Sequence, residues 1–432
     1  LVQNGDFSEE GVQEVSNGSF SQESSELVTN GDFSNGSSNW NLGASWSIVN
    51  EKAVNNGLSN SFLTQNSVVQ NGKSYLVSFD IADMTQGSLQ LRFGSGAIVT
   101  ESFTSNGTKT SYYVSSGDAI NFYSVSGFDG SIDNCSVREV GQDWTLGTGW
   151  SIGEDKAICD GTQTAISYLR TTNDLPLGVG KLFKVSFDIS DYAAGLLNLT
   201  LVGTGGNEFA NINANGSYVG YSYGPSTGDE KLQVSANADF IGSITNISVK
   251  EVGQDWDFSS GAFITDIGAR LTEAPTAGVI NSIGYTPLVI GNNYKMTYEI
   301  TQSISGGIKL NSAINTTMVS TVGVHTKYFE ADTAYIQISR TDAGGNDVTI
   351  TNISVIEITT DTNLPRINYE GFSYQDALGS ELVTNGGFDD GLNGWSSHAG
   401  STLELENGMA KVTAVNSQGF IKRTDLSIET GK

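Results

Sequence analysis

Gly72-Lys-Ser-Tyr-Leu-Val-Ser-Phe-Asp-Ile81 decides the fold because it recurs as Gly180-Lys-Leu-Phe-Lys-Val-Ser-Phe-Asp-Ile189 and, more loosely, as Gly291-Asn-Asn-Tyr-Lys-Met-Thr-Tyr-Glu-Ile300. The steps from Tyr75 to Phe183 to Tyr294 are 108 and 111 residues. Within each copy apolar and polar residues alternate. Tyr75, Val77, Phe79 and Ile81 fall on one side, with Ser78 and Asp80 on the other. A strict period of two marks an antiparallel strand covered on one face only. Burying four such side chains is worth roughly 6–12 kcal/mol gross, at ~1.5–3 each. Ordering the backbone offsets much of that, so the strand must pair in a sheet that packs on another sheet.

A second marker follows at the same spacing. Ser131-Ile-Asp-Asn-Cys-Ser-Val-Arg-Glu139 is matched by Ser243-Ile-Thr-Asn-Ile-Ser-Val-Lys-Glu251 and Thr349-Ile-Thr-Asn-Ile-Ser-Val-Ile-Glu357. The apolar pairs Ile132/Cys135, Ile244/Ile247 and Ile350/Ile353 break the alternation, so a β-bulge at Asp133-Asn134 is expected to keep both members inside. A third marker is Trp40…Trp46-Ser-Ile, matched by Trp144…Trp150-Ser-Ile and more weakly by Trp256…Phe263-Ile. No stretch sustains a helical stripe, and turn residues punctuate the chain throughout. The expected fold class is all-β: tandem jelly-roll β-sandwich modules preceded by a short-repeat β arm.

The expected organisation is a repeat arm at 1–25, sandwich modules at 26–140, 141–252 and 253–358, a linker at 359–380, and the start of a fourth module at 381–432. Glu381-Leu-Val-Thr-Asn-Gly-Gly-Phe388 repeats Glu26-Leu-Val-Thr-Asn-Gly-Asp-Phe33, and Gly431-Lys432 resembles the Gly72-Lys73 that precedes a central strand. A longer parent polypeptide is therefore expected. In the arm, Asn4-Gly-Asp-Phe7, Asn17-Gly-Ser-Phe20 and Asn30-Gly-Asp-Phe33 recur every 13 residues. Each unit joins a short strand to an Asn-Gly turn. Stacked units would form a narrow shaft; a decayed duplication would leave a flexible arm.

Composition removes several functions. The 432 residues carry 21 Lys+Arg against 47 Asp+Glu, a net charge of −26. Such a chain cannot neutralise many phosphates, which argues against nucleic acid and anionic membranes as partners. No run of 18 apolar residues is present to span a bilayer. Two histidines, His325 and His398, leave almost no material for zinc sites or Ser-His-Asp triads, and two cysteines exclude a disulfide scaffold. No nucleophile motif with a base partner is present, so an enzyme is not expected.

The order Asn-Gly-Asp-Phe, Trp, Tyr-x-Val-x-Phe-x-Ile, Ile-Asp-Asn-x-Ser-Val-x-Glu resembles the carbohydrate-binding-module jelly rolls of the galactose-binding-like superfamily, over residues 26–358 and again from 381. Such modules recur in extracellular glycan-degrading enzymes and, in tandem, in bacteriophage tail or fibre proteins. Asn363-Leu-Pro-Arg-Ile-Asn-Tyr369 also resembles a linker of phage virion proteins. The resemblance implies a fibre or appendage protein on a virion surface. Its partners would be other virion proteins, further copies of itself (a trimer, on the analogy of fibres) and host-surface glycan. The alternative is a secreted bacterial adhesin or the sugar-binding portion of an extracellular glycan-active enzyme.

Four groups of residues are candidates for a site. The tryptophans recur at equivalent positions, which fits a structural role better than sugar stacking. Tyr218, Tyr221 and Tyr223, flanked by Gly216, Gly220 and Gly224, are the best ligand-contact candidates, on an expected loop. Jelly rolls of the resembled family often hold a structural calcium, for which module one offers Asp32 and Asp133; Thr245 and Thr351 replace Asp133 in the other modules. Cys135 stands where the other modules have Ile247 and Ile353, as a buried small hydrophobe, whereas Cys159 matches Asn55 at an expected surface position.

Overall fold

A computed structural model describes residues 1–94, 98–202, 209–224, 230–259, 261–272, 279–282, 287–313, 316–341, 345–358, 383–398, 400–414 and 420–423. The linker 359–380, with its Asn363–Tyr369 segment, and the terminal Gly431-Lys432 lie outside the described residues. The chain divides into two compact units, Leu1–Ile358 and Thr359–Lys432. Among the described residues the regular structure is all strand, and no helix is long and apolar enough to cross a membrane.

The second module shows the plan most simply. One antiparallel sheet runs Trp150–Gly153, Lys156–Cys159, Ile241–Val252, Leu182–Ala194, Gly216–Tyr223; the facing sheet runs Trp144–Leu146, Ser167–Thr171, Leu232–Ala236, Leu197–Leu201, Phe209–Ile212. The third module repeats both sheets, with Asn293–Ser305 and Asp347–Ile358 as the central pair of one. In the first, Ser74–Phe93 and Ile120–Val140 each run unbroken through both layers, so the two sheets join along continuous strands. The chain alternates between the layers as a jelly roll does.

The alternating residues fill the cores as their period requires. Tyr75, Val77, Phe79 and Ile81 are buried, as are Leu89, Leu91 and Phe93 from the strand that continues into the other layer. The closing strands bulge where the phase break demands. Pairing shifts register between Ser78 and Asp80, Ser186 and Asp188, and Thr297 and Glu299. Opposite each shift an asparagine takes a left-handed backbone: Asn134, Asn246 and Asn352 have φ of 52°, 54° and 52°. Asparagine tolerates that region better than most residues. Its Nδ2 also donates across the bulge, to Asp80 at 2.8 Å, Asp188 at 2.7 Å and Glu299 at 2.7 Å. The acids on the outer face are thus fastened to the bulge rather than merely solvated. In the third module Ala262, not Phe263, stands at the position of Trp46 and Trp150, since Ile264 pairs with Ala269 as Ile152 pairs with Ala157.

The first 25 residues form neither a shaft nor a free arm. Each short unit docks on a different module, in reverse order: Asn30–Phe33 on the first, Asn17–Phe20 on the second, Asn4–Phe7 on the third. In the second compact unit, Asn385–Phe388 makes the equivalent turn, and Trp395 Nε1 donates to the Asn385 carbonyl at 3.0 Å. There Ser401–Glu406 pairs with Met409–Ala414, and Trp395–Ser397 with Ile421–Arg423.

Candidate functional site

The groove that receives each unit is built from one tryptophan and the bulge of the closing strand. The asparagine and phenylalanine of a unit both adopt positive φ, between 43° and 61° in the first three units. The backbone then curls so that the asparagine Oδ1 accepts the amide five residues on, Glu9 at 3.1 Å, Gln22 at 3.1 Å and Asn35 at 2.9 Å. The curl aims the asparagine carbonyl at an indole. Trp256, Trp144 and Trp40 donate Nε1–H to Asn4, Asn17 and Asn30 at 3.0, 3.1 and 3.0 Å. The phenylalanine packs on the same ring, with centroids 5.3, 5.0 and 5.3 Å apart for Phe7, Phe20 and Phe33. Finally the glycine carbonyl accepts the amide that the bulge leaves over. Ile353, Ile247 and Cys135 donate to Gly5, Gly18 and Gly31 at 2.8, 2.9 and 2.9 Å.

Glycine is obligatory there. A Cβ on Gly5, Gly18 or Gly31 would fall 2.0, 1.9 or 2.0 Å from the carbonyl oxygen of the bulge residue. Glu10, between the first two units, bridges Lys184 and Lys250 of the second module at 2.6 and 2.9 Å, and these ammonium groups hold its carboxyl below the usual range. Arg138 meets Glu23 at 2.9 Å in the equivalent place on the first module. The segment is a strap that closes three sandwiches in succession.

The tryptophans of the first three modules are core residues. Trp40, Trp46, Trp144, Trp150 and Trp256 are all buried. Tyr218, Tyr221 and Tyr223 lie on the strand Gly216–Tyr223, not on a loop. Alternation sends them to opposite sides. Tyr218 stacks on Phe187 at 5.3 Å inside the second module. Tyr221 and Tyr223 pack against the third module's core, and the Tyr223 hydroxyl donates to the Ala262 carbonyl. Burial there pushes the Tyr223 phenol up to about 12.

Asp32 and Asp133 do not make a calcium cage. Asp32 Oδ1 accepts both the amide and the hydroxyl of Ser34, at 3.2 and 2.9 Å, and Asp133 Oδ1 accepts the Asn134 amide at 2.7 Å. In the other modules the residues at the Asp133 position bind the strap directly. Thr245 donates to the Ser19 carbonyl at 3.4 Å and Thr351 to that of Asp6 at 3.2 Å. Among the described residues no three His, Cys, Asp or Glu side chains group as a metal site would require. Cys159 is buried, not exposed, as is its counterpart Asn55.

One concave feature was not foreseen. On the second module an open depression of about 380 Å³ is lined by Thr148, Gln163, Ile166, Tyr168 and Arg170 among others. Tyr168 is 41% exposed, and the Arg170 guanidinium lies 5.2 Å from its ring centroid. Gln163 Oε1 is buried there without a hydrogen-bond partner. An exposed ring beside a polar fork can stack a sugar face and bond its hydroxyls. The sequence signal was the alternation of Tyr168 and Arg170 on one outward face.

No protein-family model matches the chain, and no curated protein sequence does. Solved structures offer only distant likenesses. The tandem CBM22-1–CBM22-2 domain of Xyn10C from Paenibacillus barcinonensis is 11% identical, with 54% of this chain and 99% of that chain covered and a TM-score of 0.23. A protein of an archaeal virus, described under "The Triple Jelly Roll Fold and Turret Assembly", is 12% identical over 74% of this chain and 89% of that chain, with a TM-score of 0.19. Allantoicase of Saccharomyces cerevisiae is 9% identical over 47% and 82%, with a TM-score of 0.20.

Proposed function

We propose that this chain is a non-enzymatic structural component of a bacteriophage fibre or appendage, its modules serving as rigid spacers that make weak, multivalent contact with host-surface glycan. The observation that carries the reading is the strap. One segment closes three sandwiches at once, and Leu1–Ile358 is a single compact unit. A spacer needs that stiffness, whereas a string of independent binding modules gains from loose linkers. The resemblance of the repeat order and of Asn363–Tyr369 to virion proteins supports the location. The Tyr168–Arg170 depression supports the glycan contact, and repetition along an appendage would raise its avidity. Tyr221 and Tyr223, packed against the third module, are less available to a ligand than Tyr168 is.

Two measurements test this. Immunogold labelling of purified particles should place the chain on an external appendage; its absence from every particle would refute the structural role. A glycan array probed with a multimerised chain should show weak signals that Tyr168→Ala abolishes. Binding undiminished by that change would remove the depression from the reading.

A further inference from the structure

The contact between successive modules is itself a repeat, and each of its halves recurs once more without a partner. In the first contact Tyr112, on the strand Gly107–Val114, faces the hairpin Trp150–Gly153/Lys156–Cys159 of the second module. A Cβ built on Gly153 would lie 3.3 Å from that of Tyr112, and the Ile152 amide donates to Ser74 Oγ at 3.1 Å. In the second contact Tyr221 and Tyr223 meet the hairpin Ala262–Thr265/Gly268–Thr272, and Leu182 and Val252 join the third module's core.

Strand register identifies the next copy of each half. Tyr112 lies opposite Leu76, Tyr221 opposite Lys184 and Tyr328 opposite Lys295. Val140, Val252 and Ile358 likewise lie opposite Ser74, Leu182 and Asn293. Val140 and Val252 are each 4% exposed under the following module, but Ile358 is 37% and Tyr328 64% exposed. The receiving hairpin shows the converse. Ile152 and Ile264 are 2% and 1% exposed, whereas their counterpart Ile48 is only half-buried, and Val49, at the position of Gly153, is 48% exposed.

We propose that the outer face of the third module, centred on Tyr328 and Ile358, takes the hairpin Trp46–Val49/Lys52–Asn56 of a second copy of this chain, head to tail. The occupant follows from continuity with the two established contacts, which join the same face to the same hairpin. Charge agrees. Lys184 and Asp266 both act on Tyr221 in the second contact, and Lys295 would meet Glu51 in the same arrangement. Such an interface is heterologous, so it builds open-ended chains of copies rather than a two-fold dimer. Within a chain the contact is helped by a tether equivalent to a concentration on the order of millimolar. Between copies that help is absent, and association appears at high protein concentration. The inference does not depend on where the protein is found.

Mixed cysteine crosslinking of the full chain tests it. In the intramolecular contacts the corresponding Cβ positions approach 3.3 Å, close to disulfide range. A Val49→Cys chain mixed with a Tyr328→Cys chain should give the mixed disulfide over either homodimer by at least about tenfold, a preference worth ~1.4 kcal/mol. The double variant should give a ladder of oligomers. Tyr328→Glu, an exposed change, should lower the weight-average mass in concentrated sedimentation runs. Equal mixed and like-with-like crosslinking would overturn the proposal. So would a Tyr328→Cys thiol that a maleimide cannot reach in the monomer, or one that is reached yet never crosslinks at high concentration.

Discussion

Replacing Phe20 by alanine removes the ring that seats the second strap unit on the second module. Phe20 is 1% exposed, and its centroid lies 5.0 Å from that of Trp144. Buried Phe→Ala changes cost roughly 3–5 kcal/mol. The unit's other ties are a few hydrogen bonds, worth ~0.5–1.5 kcal/mol each net, and Val15. The loss is therefore comparable with everything that holds the unit down, so the unit should leave its groove while its neighbours stay. The amide that reports this is Ile247, which donates to the Gly18 carbonyl at 2.9 Å. A loss of about 3 kcal/mol should raise its hydrogen-exchange rate on the order of a hundredfold, at ~1.4 kcal/mol per factor of ten. The corresponding amides of Cys135 and Ile353, bonded to Gly31 and Gly5, should hardly change. Gly18→Ala should reproduce the pattern without touching an aromatic ring, because its Cβ would sit 1.9 Å from the Ile247 carbonyl oxygen. Equal acceleration at all three amides, or none at Ile247, would refute the reasoning that each unit closes its own module.

At the bulges, Asn246→Gly should be milder than Asn246→Ala, since only alanine adds the ~1–2 kcal/mol strain of a left-handed backbone to the lost bond with Asp188; urea titration reads the difference. Lys184 and then Lys250 lower the Glu10 carboxyl from its ordinary 4.5. Its contribution is then fully present above that value and lost as pH falls through the lower folded-state one. Strap protection over residues 10–20 should fall on acidification, less steeply in Glu10→Gln. Burial raises Cys135 well above the ordinary thiol range and Cys159 to about 11, so a thiol reagent at pH 8 should modify neither until the chain unfolds. Cys135→Ile, which restores the residue of the other modules, should change stability by less than ~1.5 kcal/mol by thermal melting.

The strap was legible in principle. Module one has an Asn-Gly-Asp-Phe unit ten residues before Trp40, whereas nothing of the kind precedes Trp144 or Trp256, and two spare units stand at the N-terminus. Two vacancies and two spare units match. What concealed the match is that the units run in reverse order, far in sequence from the grooves they fill. The tyrosines misled for a different reason. Glycine on both sides reads as a loop, but Gly220 sits where Phe209 crosses the strand and leaves no room for a Cβ, 2.7 Å from that ring. Cys159 was assigned to the surface by its match to Asn55, yet asparagine itself is buried at that position.

Local pattern alone determined the sandwich. Tyr75, Val77, Phe79 and Ile81 can be buried together only on one face of a strand, and the three-residue step from Ile132 to Cys135 can be buried only across a bulge. Those are constraints between neighbours, and they are written in consecutive residues. Which module each strap unit closes, and which faces of the tyrosine strand are covered, depends on groups hundreds of residues apart. Ile353 meets Gly5 and Trp256 meets Asn4 because three bulges in sequence leave three amides to be satisfied. Only the assembled array brings those amides within reach of one passing strand.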